Sequence, residues 1–196
     1  RQPPKTYQSF LALLKKLGPP EPPLPVPSMS TLSSPTWSDV YAVPPLESLL
    51  SPADLSSLGP HIFPGGETAG LERLEKYCKD EAKVAGFAKP EGDPSTILPY
   101  TTGLSPYLKF GCVSVRQFFW AVEAVYKKCK THTHPPVSLH GQLYFREWFY
   151  LLSCVTPNWD KMVGNPLVRQ IPWDRDPAMI EAWREGKTGF PWIDAI

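Results

Sequence analysis

Apolar residues at Tyr7, Phe10, Leu11, Leu14 and Leu17 recur three and four apart, which predicts an amphipathic helix over residues 6–17. Gly18-Pro19-Pro20 ends it. The period then lapses. Residues 18–64 are rich in Pro, Ser and Leu, and proline fixes φ and removes donors, so an extended connector is expected there. Its scattered aromatics (Trp37, Tyr41, Phe63) suggest that it packs on a surface. Helical spacing resumes after Gly65-Gly66-Glu67-Thr68. Thr68 can cap a helix over about residues 69–85, with Leu71, Leu74 and Cys78 on one face. Ser105-Pro106 reads as the cap and first position of a short helix stopped by Gly111. Ser114 to Gln117 forms a capping box ahead of Val115, Phe118, Phe119, Val122 and Tyr126. A further helix over about residues 138–154 carries Leu139, Leu143, Phe149 and Leu152, and Asp176-Pro177 opens another that ends near Gly186. No segment from residue 67 onward alternates with period two. The expected fold class is all-α over residues 65–196, preceded by a Pro-rich connector over 1–64.

Composition narrows the picture. Of 196 residues 25 are proline, concentrated in the first third, and the formal net charge is +1, which gives no electrostatic case for a dedicated nucleic-acid or membrane-surface binder. Cys78, Cys112, Cys129 and Cys154 stand at wide, irregular spacings, as expected of reduced thiols rather than a zinc site or a disulfide framework. No apolar run is long enough for a bilayer, so a soluble intracellular chain without a membrane partner is expected. The chain opens on Arg1-Gln2-Pro3-Pro4 and closes on Pro191 to Ile196, a proline followed by helix formers, so both ends are expected to lie inside a longer protein.

Three places could carry chemistry. Thr101-Thr102-Gly103-Leu104-Ser105 sets three hydroxyls and a glycine before a helix start, where free N–H groups favour an anion such as a diphosphate; Ser105 could equally be only a cap. Gln142 and Arg146 share a helix face bordered by Phe145 and could bond a polar heterocycle or a phosphate, or Arg146 could be tied into a structural ion pair. His132, His134 and His140 have no carboxylate close in sequence, and the first two are expected in an exposed loop rather than at a metal. Lys127-Lys128-Cys129-Lys130 reads as a helix C-terminus, where cations complement the dipole.

Longer strings carry more. Gly65 to Thr68, residues 101–111 (TTGLSPYLKFG), Pro135 to Leu139, Gly141-Gln142-Leu143 and residues 188–195 (TGFPWIDA) closely resemble the photolyase/cryptochrome superfamily, in the wording of animal-type cryptochromes and (6-4) photolyases. Thr6-Tyr7-x-x-Phe10 and its proline-rich sequel match that branch's connector. The resemblance covers essentially the whole chain. It implies the first half of a helical domain that binds FAD. It also implies FAD contacts at Thr101, Thr102, Leu104, Ser105, Gln142 and Arg146, with Lys79 near a basic position that can meet the cofactor. Gln142 and Phe145 would face the substrate cavity, Phe145 standing where the family usually has a tryptophan. The implied function is a blue-light photoreceptor that signals to protein partners from the nucleus and cytoplasm. The alternative is a (6-4) photolyase that repairs UV-damaged DNA by electron transfer from FAD. The resemblance places the remaining flavin contacts beyond Ile196, so this stretch alone is expected to have no activity of its own.

Overall fold

A computed structural model describes residues 3–28, 30, 43–59, 62–89 and 101–195; the aromatics Trp37 and Tyr41 lie outside these. The described residues are helical, with no strand among them. They cluster into two compact units, one ending at Phe149 and one beginning at Tyr150.

In the first unit, α1 (Tyr7–Leu17) begins at Thr6, whose hydroxyl accepts the Ser9 N–H at 3.2 Å, and it buries Tyr7 and Phe10. The connector holds more regular structure than its prolines suggest. Leu46–Ser48 makes a 3-10 turn, and α2 (Pro52–Ser57) starts with Pro52 in its first turn and Ser51 accepting the Asp54 N–H at 3.2 Å. Proline's fixed φ suits a first helical turn, so the Ser51-Pro52 pair initiates a helix.

The single helix expected over residues 69–85 is two: α3 (Glu67–Cys78) and α4 (Glu81–Ala85). The Asp80 carboxylate accepts the Lys83 N–H at 3.0 Å, and that cap opens a new helix instead of continuing the old one. Gly66, at φ 97°, precedes α3, so Thr68 lies inside the helix and does not cap it. Helix α5 (Ser105–Lys109) likewise begins at Ser105 itself. Leu104 is fully buried with helical dihedrals and already occupies the cap position, so Ser105 has no capping role.

Helix α6 (Val115–Lys128) opens on the capping box: Ser114 Oγ accepts the Arg116 N–H at 3.2 Å and Gln117 Oε1 accepts the Ser114 N–H at 3.0 Å. It buries Phe118, Phe119, Val122, Val125 and Tyr126. Together with Leu74, Tyr77, Val84, Leu104, Tyr107, Leu139 and Leu143 they make the core of the first unit. Helix α7 (Leu139–Val155) buries Leu139, Leu143 and Leu152, but Phe149, expected inward, is half exposed.

The second unit holds α8 (Pro177–Arg184), capped by Asp176, and α9 (Pro191–Asp194). The TGFPWIDA string folds around Asp194, whose carboxylate accepts the N–H groups of Thr188 at 2.8 Å and Gly189 at 3.0 Å. These hydrogen bonds, the Thr188 side chain's first, hold the Asp194 carboxyl below its usual range. Trp173, Trp183 and Trp192 in this unit are exposed. No described helix is long and apolar enough to cross a membrane.

Candidate cofactor-binding site

The hydroxyl loop before α5 is built close against α3. Gly103 adopts φ 59°, and a Cβ there would overlap the guanidinium of Arg73. Arg73 Nε donates to the Thr102 carbonyl at 2.9 Å, and its guanidinium lies 5.0 Å from the Phe63 ring centroid. Glycine at this position therefore answers a side chain of the protein's own. Thr102 Oγ1 accepts the Leu104 N–H at 3.3 Å, and no side chain caps α5. The result is a short helix start with Thr101 half-buried, Ser105 exposed and a guanidinium alongside. Leu104 is fully buried, so its side chain serves the core and only its backbone faces the loop.

Gln142 and Arg146 stand on one face of α7, as their spacing requires. Gln142 is half-buried and donates through Nε2 to the Pro136 carbonyl at 3.3 Å. Arg146 is exposed and paired with neighbouring Glu147. That pair leaves most of its five donors open. Phe145 is stacked on Tyr7 of α1, with centroids 3.7 Å and planes 2° apart, so one of its faces is covered. Trp148 meets Tyr7 edge-on at 5.8 Å and donates Nε1–H to the Pro4 carbonyl at 3.1 Å. The connector's first helix thus packs directly on α7.

Lys79 lies just past the end of α3, as its C-cap residue. Its ammonium is 2.9 Å from Glu75 Oε1, both side chains mostly exposed, over a shallow cleft lined by α3, α4 and α6. An exposed pair of this kind contributes about 0.2–1 kcal/mol. The cation that α3 sends to the hydroxyl loop is Arg73, six residues earlier and on a different face. Sequence reasoning passed over Arg73 because a lone arginine in Leu71-Glu72-Arg73-Leu74 carries no motif; its one signal is the glycine opposite.

Of the two histidines expected in an exposed loop, His134 is exposed and His132 is not. His132 is half-buried and stacks on Tyr126 at 4.0 Å, while His140 is buried and stacks on Phe119 at 4.1 Å. Among the described residues no group of three His, Cys, Asp or Glu could hold a metal ion.

Residues 138–196 match the family model described as the FAD binding domain of DNA photolyase. Over its whole length the chain is 50% identical to the (6-4)DNA photolyase of Arabidopsis thaliana. It is 44% identical to Cryptochrome-1 of Macaca fascicularis and to Cryptochrome-2 of Gallus gallus. It spans about a third of the length of these curated relatives, 34% or 35% of each. Matched to that model over residues 138–196 and aligned end to end with cryptochromes and a (6-4) photolyase alike, the chain is similar along its whole length to the photolyase/cryptochrome superfamily.

Proposed function

We propose that this chain supplies one wall of the FAD pocket of a light-driven flavoprotein and that the protein is a blue-light photoreceptor of cryptochrome type. The observation that carries the pocket is the uncapped start of α5 beside Arg73 and the Thr101–Ser105 hydroxyls. Free first-turn N–H groups and hydroxyls suit a diphosphate, and a guanidinium adds charge-assisted bonds. Thr101, Thr102, the Leu104 backbone and Ser105 would meet the phosphates, and Gln142 and Arg146 would reach a polar ring edge with an amide and a guanidinium. Lys79 would approach the cofactor only after leaving Glu75. FAD, when bound, supplies light absorption and one-electron redox chemistry. The chain's own residues bind and orient it, and the redox change would be passed to protein partners in the nucleus and cytoplasm.

The receptor reading draws support from Phe145. With Tyr7 on one face, it offers a damaged base a single, smaller platform without an N–H. The repair reading has its own support in the higher identity to the Arabidopsis (6-4) photolyase, 50% against 44% for the cryptochromes. Illuminating the full-length protein with oligonucleotide carrying a (6-4) lesion separates the two; efficient repair would sink the receptor reading. For the pocket, Ser105→Ala combined with Arg146→Ala in the full-length protein should lower flavin content at purification. Unchanged occupancy would overturn this placement.

A further inference from the structure

The face of α7 turned away from Gln142 and Arg146 borders an open cavity of about 590 Å³ between α1, α6 and α7. That volume is within the range of small-molecule sites, about 300–1,000 Å³. Leu11, Leu14, Trp120 and Tyr144 contribute to its walls, and His140 and Glu123 also line it. The His140 side chain is 9% exposed and lies flat on Phe119, with planes 10° apart.

His140 Nε2 lies 3.2 Å from the Phe119 carbonyl. A carbonyl only accepts, so the ring proton of the neutral imidazole belongs on Nε2 and Nδ1 keeps its lone pair. Burial favours that neutral form by pushing the His140 pKa down. Nδ1 then faces Glu123 Oε2 across 3.9 Å, too long for a direct hydrogen bond. The other carboxylate oxygen is 4.0 Å from Nζ of Lys127, which also lines the cavity. Two acceptors thus face one another across the 3.9 Å gap without a hydrogen bond between them, in a lining that is mostly aromatic and aliphatic but also holds Lys15 and Lys127.

We propose that this cavity binds a planar heteroaromatic molecule bearing an N–H, with the ring against Leu14, Trp120 and Tyr144 and the N–H shared by His140 Nδ1 and Glu123. An N–H placed between acceptors 3.9 Å apart reaches both, and binding leaves His140 in its existing tautomer. The site is separate from the hydroxyl loop and does not depend on the proposed FAD placement.

Indole and 1-methylindole make the direct probe pair, equal in shape to within a methyl group and differing in the donor. Saturation-transfer NMR on the full chain should show indole binding at least about tenfold more tightly, with the Nδ1 nitrogen resonance of His140 shifting only for indole. Equal binding of the two, or binding of neither, would overturn the proposal and leave water as the occupant. Glu123→Gln places a carboxamide N–H₂ opposite Nδ1 and supplies the donor internally, so the preference for indole should fall to near one; a preserved preference would count against the proposal. If Glu123→Gln does not fold, Leu14→Trp at the half-buried wall should fill the cavity and abolish indole binding, and undiminished binding there would refute the site.

Discussion

Tyr7 lies face to face on Phe145, centroids 3.7 Å and planes 2° apart, across 138 positions of sequence. The same tyrosine donates its hydroxyl to the Gly141 carbonyl at 3.0 Å, so one residue of α1 fastens two successive turns of α7. Stacked aromatic pairs contribute about 0.5–1.5 kcal/mol beyond the area they bury. A double-mutant cycle of Tyr7→Ala and Phe145→Ala, read by urea denaturation, should return a coupling in that range. A coupling near zero would mean that α1 packs through its leucines and the stack adds nothing.

The hydroxyl of Tyr7 also makes a pH prediction. Burial first, and then the neighbouring Tyr144, pushes its pKa from 10.0 up to about 12. Above pH 10 the unfolded chain releases this proton while the folded chain retains it, so stability present below pH 10 is lost as pH rises towards 12. Tyr77, also raised to about 12, adds to the same decline. Tyr7→Phe should flatten the alkaline limb of the stability curve and cost about 1 kcal/mol at neutral pH through the lost hydrogen bond. Tyr77→Phe should flatten the limb too, yet cost little at pH 7, because its buried hydroxyl has no partner. Equal losses for the two variants at pH 7 would contradict this.

Helix periodicity and several of the local caps were legible in the sequence. Ser114 and Asp176 each open the helix assigned to them, and the apolar spacing of α6 gives its buried face directly. Much of what escaped was set by burial and ring packing, which a local pattern does not show. Ser105 loses its cap because buried Leu104 takes the position, and His132 leaves the loop surface because Tyr126 offers it a ring. The break at Asp80 was local and visible as an acidic cap, but the continuous apolar stripe from Leu71 masked it. For the candidate site, spacing alone placed Gln142 and Arg146 on one face. Arg73 needed the fold, since its partner, the Thr102 carbonyl, is 29 residues away.

Gly141 shows how tightly α7 meets the segment before it. A Cβ at Gly141 would overlap the Pro136 carbonyl, which is backbone and cannot swing aside. Gly141→Ala should therefore destabilise the first unit by about 1–3 kcal/mol, despite alanine's better helix propensity. Gly111, with open space around it but φ 71°, gives the contrasting case. Gly111→Ala should cost only about 1–2 kcal/mol of left-handed backbone strain, and Gly111→Asn less. Thermal unfolding of the three variants checks the ordering, and a neutral Gly141→Ala would refute the close approach.

His140 should make the first unit acid-sensitive. Burial holds its folded pKa below the ordinary value of 6.5, against the opposing pull of the Phe119 carbonyl and Glu123. As pH falls through 6.5 the unfolded chain takes up this proton before the folded chain does, so stability present above that pH declines below it. His140→Phe keeps a ring to stack on Phe119 and removes the titration. It also removes the second hydrogen bond to the Phe119 carbonyl, which keeps its helix donor, and this should lower the neutral-pH stability by about 0.5–1.5 kcal/mol. Urea titrations from pH 7.5 to 5 should therefore give a wild-type midpoint that falls with acid, and a variant midpoint that starts lower and falls less. Parallel curves would show that His140 gains its proton freely in the folded state, with Glu123 closing the 3.9 Å gap to accept it.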